Sequence, residues 1–551
     1  MAEYFEHYPS SPDELVGCSA QLIRAAGDSD NGVKQVHGAT NRAVDAVEGD
    51  LTFPMAKAPE PTIRNGASVA EAALFAGGTL MVFAEAVTTY NTGIDRLNAR
   101  IQEDEFDVMS VGRADKLHRL RAEQLRLEAD LDDDAVRVAA MLDRGPNAED
   151  MAFLRNRGYL VSPDELLQAL AGMPVLRDPH AMATWWDSLT LGQRAAIMAA
   201  YPGRLGNADG LPAEVRDEAN RLTMAEDLER LEEMEREGTL TEGQSRALAN
   251  IRNIMENIKD RESHTDPITG EKAHAQLYVY DPYAFNGDGR FAIATGNLDD
   301  ADDLAVMVSG VTTDAATKNA TSSLNVYDES RRASGDSVAV LDWVGYDAPS
   351  GIDTPGMATP DMAREGAELL ASDVEGLRAS RSDDPAHLTV IGHSYGSTTS
   401  GIAANEYDLD ADDLVLNGSP GVPVDDAGDL TTGNDHTWVG SNSQDDVSWL
   451  GKQGSVGAAT LGYDPAEDEF GAKRVQAEYT DRTWSWDPTD GYSKKHTHYY
   501  DKNSESLYNV AAIATGEYDE VESADHRHDP WYAPPEDPEG EREPREIRHG
   551  R

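Results

Sequence analysis

The sequence predicts an α/β protein: a doubly wound, mostly parallel sheet in the C-terminal half, preceded by a large all-α region. Three observations lead there. From Gln276 onward, short apolar or β-branched runs alternate with helical segments such as Met362 to Ser380, the alternation that builds a parallel sheet. Gly392-His393-Ser394-Tyr395-Gly396 fits G-x-S-x-G, a sharp strand-to-helix turn that holds a serine hydroxyl at a sheet edge. Before Gln276 the apolar residues recur at helical spacing nearly throughout.

The strands follow in order. Gln276 to Tyr280 and Arg290 to Thr295 are joined through Asn286-Gly287-Asp288-Gly289, a strong turn signal, so the sheet is expected to start antiparallel. Leu304 to Ser309, Val338 to Trp343, His387 to Ile391, Asp413 to Asn417, His436 to Gly440 and Val475 to Tyr479 continue it. The run before the serine motif suits a buried strand, and the small residues of Ser397 to Asn405 suit a helix close against a sheet.

Composition narrows the function. A chain of 551 residues is expected to hold two or three domains. The formal net charge of −54 repels phosphate backbones and anionic lipid, so no nucleic-acid partner is expected, and a charge this one-sided implies that salt stabilises the fold. Cys18 is the one cysteine, which excludes an intramolecular disulfide. The start, Met-Ala-Glu-Tyr-Phe-Glu, reads as no secretory signal, favouring the cytoplasm with signal-less export as the alternative. The longest apolar run, Ala72 to Ala84, is flanked by Glu71 and Glu85 and is short for a membrane span, so a buried helix and no stable membrane insertion are expected.

Four regions are expected. Residues 1–145 form a helical bundle or hairpin. Ser11 caps a first helix with Glu14 in capping-box position, residues 33–47 form a second, and residues 51–61, with three prolines, form a loop. A long helix then runs from Ser68 to about Ile101, with Gly77 and Gly78 marking close contact, and a charged, leucine-bearing helix covers Ala114 to Leu142. This is the region expected to dock any protein partner. Residues 146–265 form a helical connector whose charged hairpin, Met224 to Glu237 and Glu242 to Ile258 around Gly238, is read as an arm or lid or as a solvated face. Residues 266–523 form the α/β domain, and residues 524–551, rich in Pro, Glu, Arg and His, a disordered tail.

A serine hydroxyl needs a base, an acid to orient that base, and donors for an oxyanion. In a hydrolase of this topology they follow in the order serine, acid, histidine. Asp445, just past the strand His436 to Gly440, best suits the acid, with Asp446 as its rival. His496 and His498 are the candidate bases. No third metal ligand stands at a recognisable spacing from them, so no metal or other cofactor is expected. The backbone N–H of Tyr395 is expected as one oxyanion donor, and that of Val311 or Thr312 as the second.

At several separated stretches the chain resembles the actinobacterial α/β-hydrolase family long catalogued as a domain of unknown function. These are Trp185-Trp186 through Arg221, Ala301-Asp302 with Val308-Ser309-Gly310, Trp343 through Pro349, the serine motif, Asn417-Gly418-Ser419-Pro420-Gly421, and His496-Thr497-His498-Tyr499-Tyr500-Asp501 with Ser504 and Leu507. The resemblance covers about residues 180 to 516. It implies a serine hydrolase, supports Ser394 and an acid in the Asp445-Asp446 pair, and selects His496, five residues before Asp501. Family members usually carry Pro-Gly where this chain has Ser309-Gly310. The resulting expectation is an esterase- or lipase-like enzyme acting on a small acyl-containing substrate, an ester, thioester or amide, through an acyl-enzyme on Ser394. The alternative is a non-catalytic partner-binding or secretion-associated protein that uses the helical half, with the hydrolase fold as scaffold.

Overall fold

The computed structural model describes residues 5–27, 69–105, 113–174, 178–311, 313–349, 360–442, 445, 447–448, 461–478 and 496–524. The expected helix at 33–47, the loop at 51–61 and all of the expected tail but residue 524 lie outside these. The chain divides into two compact units, residues 1–175 with 184–205, and residues 176–183 with 206–551.

The first unit is helical: α1 (Pro12–Gly27), α2 (Val69–Glu105), α3 (Arg113–Arg144), α4 (Ala148–Asn156) and α5 (Pro163–Ala171), then part of α6 (Pro179–Ser188), α7 (Leu191–Ala200) and the short α8 (Pro202–Leu205). Gly77 of α2 lets α1 approach so closely that an added Cβ would lie 3.2 Å from the Ser19 carbonyl, and Ser19 Oγ donates to the Gly77 carbonyl at 2.9 Å. The window Glu71–Ile101 is long and apolar enough to cross a membrane, and 78% of its most apolar stretch is buried within the protein.

In the second unit eight strands form one sheet in the order β1-β2-β4-β3-β5-β6-β7-β8. They are β1 (Ala275–Asp281), β2 (Arg290–Thr295), β3 (Asp303–Val308), β4 (Val338–Val344), β5 (His387–His393), β6 (Asp413–Asn417), β7 (Thr437–Gly440) and β8 (Lys473–Val475). β1 and β2, and β2 and β4, pair antiparallel; every later pair is parallel. The last strand ends four residues earlier than the apolar run around Val475 suggests, because only Lys473 to Val475 find partners on β7.

Side chains alternate across the sheet, as a two-residue period requires. Val390 and Leu416 face α12 (Asp361–Ser380) and α13 (Tyr395–Glu406). Ile391 and Val415 face α11 (Thr321–Ser334) and α14 (Glu505–Ala514).

The charged hairpin does not project. Its helices, α9 (Ala213–Glu237) and α10 (Glu242–Ser263), bury Leu231, Leu248, Ile251 and Ile254 against Leu277, Phe291 and Ile293 of the antiparallel strands. The charges lie on the outer face, so composition alone concealed an inward apolar stripe. This segment also covers the sheet edge. Asn207 pairs with both backbone groups of Tyr280, Asp217 accepts from the Leu277 N–H, and Asn220 and Arg221 donate to the carbonyls of Leu277 and Ala275. An edge strand with its free backbone groups taken up in this way offers no template for a further strand.

Candidate active site

Ser394 sits between β5 and α13 with φ 57° and ψ −131°, a strained conformation for a residue with a side chain. Close packing enforces the turn. An added Cβ on Gly392 would lie 2.6 Å from Ser397 Cα, and one on Gly396 would lie 2.4 Å from the Val308 carbonyl oxygen, so neither position has room for a side chain. The Ser394 N–H donates to the Asn417 carbonyl at 3.0 Å, tying the turn to the end of β6.

The structure brings Asp445 and His496 together. His496 Nδ1 lies 2.8 Å from Asp445 Oδ2 and 3.0 Å from Oδ1. The Asp445 side chain is fully buried, and its remaining lone pairs are used: the Tyr499 hydroxyl donates to Oδ2 at 2.8 Å, and the Val447 N–H to Oδ1 at 2.9 Å. Tyr499 is itself held by the Asn442 N–H at 3.0 Å. His496 Nε2 is buried and has no hydrogen-bond partner among the described residues. His498 pairs instead with Asp501 through Nδ1. Asp446 lies outside the described residues.

His393, next to the serine, is tied to the loop that carries His496. Its Nε2 donates to the His496 carbonyl at 2.7 Å, and the two rings stand 4.7 Å apart. Burial, and then the neighbouring His496, push its pKa down to about 3, so the ring is neutral and its donor is fixed. The residue before the serine thus anchors the backbone of the histidine.

The loop after β3 crosses the serine. An added Cβ on Gly310 would lie 2.8 Å from Ser394 Cβ and 3.2 Å from Oγ. Val311 follows, half-buried; Thr312 lies outside the described residues. Tyr395 begins α13, its ring buried and its hydroxyl accepting from the Ala363 N–H at 3.2 Å. A cavity of about 280 Å³ opens beside this loop, lined among others by Gly310, Lys318, His393 and Thr497. It lies between the carboxyl ends of β3 and β5, where the strand order reverses, the usual place for ligands in such sheets.

A mostly parallel eight-stranded sheet flanked by helices agrees with the comparisons to known proteins. Residues 284–453 match the model of a family described as alpha/beta hydrolase. The C-terminal region is an α/β-hydrolase domain. Its relatives include the uncharacterized protein Rv2079 of Mycobacterium tuberculosis, 34% identical over 387 residues, which are 63% of this chain and 57% of that one. The uncharacterized protein Mb0988c of Mycobacterium bovis is 30% identical over 167 residues, 28% of this chain and 62% of that one. The chain thus spans less than two thirds of the length of these relatives. Among solved structures, carboxyl esterase 2 of the mycorrhizal fungus Tuber melanosporum superposes loosely, with TM-score 0.29 and 11% identity over 47% of this chain and 89% of that one.

Proposed function

We propose that this α/β-hydrolase domain is a serine hydrolase, most readily an esterase. The observation that carries the reading is the state of His496. One ring nitrogen is held by a buried carboxylate, and the other is buried and unpartnered in the neighbourhood of a strained serine. In this mechanism Ser394 Oγ attacks the carbonyl carbon as His496 Nε2 accepts its proton, and Asp445 orients the imidazole and stabilises its cation. The oxyanion is met by the N–H of Tyr395 and a second N–H from Val311 or Thr312. The tetrahedral intermediate expels the alkoxide, thiolate or amine, which takes the proton from His496. Water, deprotonated by the same nitrogen, then releases the acid and restores Ser394. Ester cleavage makes the least demand on the leaving group and is the first activity to assay.

A fluorophosphonate probe tests this directly. The wild type is expected to label covalently and Ser394→Ala not at all; an unlabelled wild type, or equal labelling of both, sinks the reading.

A further inference from the structure

The cavity beside Ser394 has a largely uncharged wall, with Met307, Ile391 and Tyr500 among its lining and, among the described residues, a single cation, Lys318. The surroundings of that cation are unusual in a protein of formal net charge −54. Lys318 Nζ donates to Ser309 Oγ at 2.9 Å and lies 3.0 Å from Asp342 Oδ1. Asp342 is fully buried in β4, and its other oxygen already accepts from Arg261 Nη2 at 3.0 Å, with Ser323 Oγ at 3.3 Å. The remaining bonds of the Arg261 guanidinium go to neutral groups of Asn257 and Ser323. Two cations, one of them fully buried, therefore share one buried carboxylate. Asp260, the other acidic group acting on Arg261, is exposed and well solvated. Burial pushes the Arg261 guanidinium down and these carboxylates do not restore it, so positive charge at the cluster is under-compensated.

The position of Lys318 is also fixed. Asn253 and Asn257 of α10 each donate to its carbonyl at 2.9 Å, so the packed hairpin holds this residue from outside the sheet. An ammonium group has three N–H donors. Ser309 accepts one, Asp342 Oδ1 faces the group at 3.0 Å without an aligned hydrogen bond, and no further partner occurs among the described residues, while the side chain stays partly accessible at the cavity wall.

We propose that this cavity binds an anionic oxygen group of the substrate, a carboxylate or a phosphate, with Lys318 as the recognising cation. This rests on the serine-hydrolase reading and narrows it to esters of acidic molecules. A low-dielectric wall strengthens the attraction of an ammonium for such a group. The acidic surface draws no anion towards the site, so the selectivity must arise inside it.

The experiment uses the intact chain and two matched ester pairs. p-Nitrophenyl hemiglutarate is compared with p-nitrophenyl valerate, placing a carboxylate on the acyl side. 4-Carboxyphenyl butyrate is compared with phenyl butyrate, placing it on the alcohol side. The anionic member of at least one pair is expected to have the higher kcat/KM, by about tenfold or more, the worth of a hydrogen bond to a charged group. Lys318→Met is expected to erase that preference and Lys318→Arg to keep part of it. Binding is read separately by calorimetry on Ser394→Ala, with glutarate and inorganic phosphate as ligands; whichever binds identifies the preferred anion, and Lys318→Met is expected to weaken it. Absence of any anionic preference in the wild type, together with no saturable binding of either anion, overturns the proposal without need of a variant that folds. If neither ester pair is turned over and the fluorophosphonate fails to label, the hydrolase reading falls, and the calorimetry still decides whether the anion site exists.

Discussion

The sheet carries two clusters of aspartate and histidine, one at each end of its parallel strands, and they are built to opposite specifications. At the amino ends, Asp413 accepts from His387 Nε2 at 2.8 Å, His436 Nδ1 at 2.9 Å, Trp438 Nε1 at 2.7 Å and the Tyr518 hydroxyl at 2.6 Å. Asp303 lies 3.5 Å from His387 Nδ1, and the rings of Trp438 and Tyr518 stack 5.7 Å apart. Every strong acceptor position on that carboxylate is taken, and the residues it gathers come from β5, β7 with the residue before it, and the C-terminal segment. At the carboxyl ends, Asp445 is equally saturated, but the histidine it holds keeps one nitrogen free. The residue types are the same. His387 Nδ1 also lacks a hydrogen bond among the described residues, but Asp303 faces it at 3.5 Å; what separates the two ends is the strained serine turn near His496.

Asparagine tests the contrast at both ends. Asp445→Asn should leave the fold largely in place, since an amide oxygen can still accept from the Val447 N–H. It presents the wrong partner to the imidazole and should lower ester kcat by on the order of 10⁴-fold. His496→Ala should lose turnover to a similar degree, and His498→Ala should keep most of it; the reverse pattern for the two histidines would reassign the base. Asp413→Asn should do the opposite of Asp445→Asn. It breaks a buried ion pair, a loss of about 3 kcal/mol, while activity per folded molecule persists. Denaturant melts and active-site titration of both variants separate the two effects, and a stable but inactive Asp413→Asn protein would dissolve the distinction.

Much of this was legible in the chain. The serine turn is local: a strand, two glycines with no room for a Cβ and a small-residue helix are adjacent in sequence, so pattern alone finds them. Asp445 is placed by chain order, just past a recognisable run, whereas chain order left His496 and His498 open and the family resemblance chose His496. The Asp413 cluster has no such order. Its partners lie 23 to 105 residues away, and no local spacing announces a carboxylate with four donors. Lys318 escaped notice for a related reason. It is one lysine in a polar loop, and its meaning comes from Asp342 on β4 and Arg261 on α10. The hairpin was read by its charges when its function lay in Asn253 and Asn257, which are uncharged.

Tyr499 offers a finer test of the active end. Its hydroxyl joins Asp445 to the Asn442 backbone, and burial with the nearby Asp445 raises its pKa well above the ordinary tyrosine value, so it stays a donor. It touches no reacting atom and acts by positioning the carboxylate. Tyr499→Phe removes one hydrogen bond to a charged group and should lower kcat by about tenfold, with KM little changed. An equal rise in KM would instead mean that the pocket, and not the acid, had moved.

The smallest effect is a pH dependence confined to the amino-end cluster. Burial opposes the charged form of His387, but Asp303 and Asp413 outweigh it, and its pKa is pushed up to about 10. The unfolded value is about 6.5. A pKa raised on folding contributes stability that is complete below the unfolded value, erodes as pH rises and is gone above the folded one. Burial also pushes the Asp413 carboxyl up, but the bonds from His387, Tyr518, Trp438 and His436 hold it below its usual range. Its contribution therefore runs the other way, complete above about pH 4 and lost as pH falls through the folded value. The two overlap fully between about pH 4 and 6.5, and the His387 share then declines up to about pH 10. The melting temperature of the wild type should accordingly fall between pH 6.5 and 10 by a few degrees more than that of Asp413→Asn, in which His387 retains only Asp303. Parallel curves for the two proteins would place the alkaline loss elsewhere and leave Asp413 as a hydrogen-bond acceptor whose partner need not be charged.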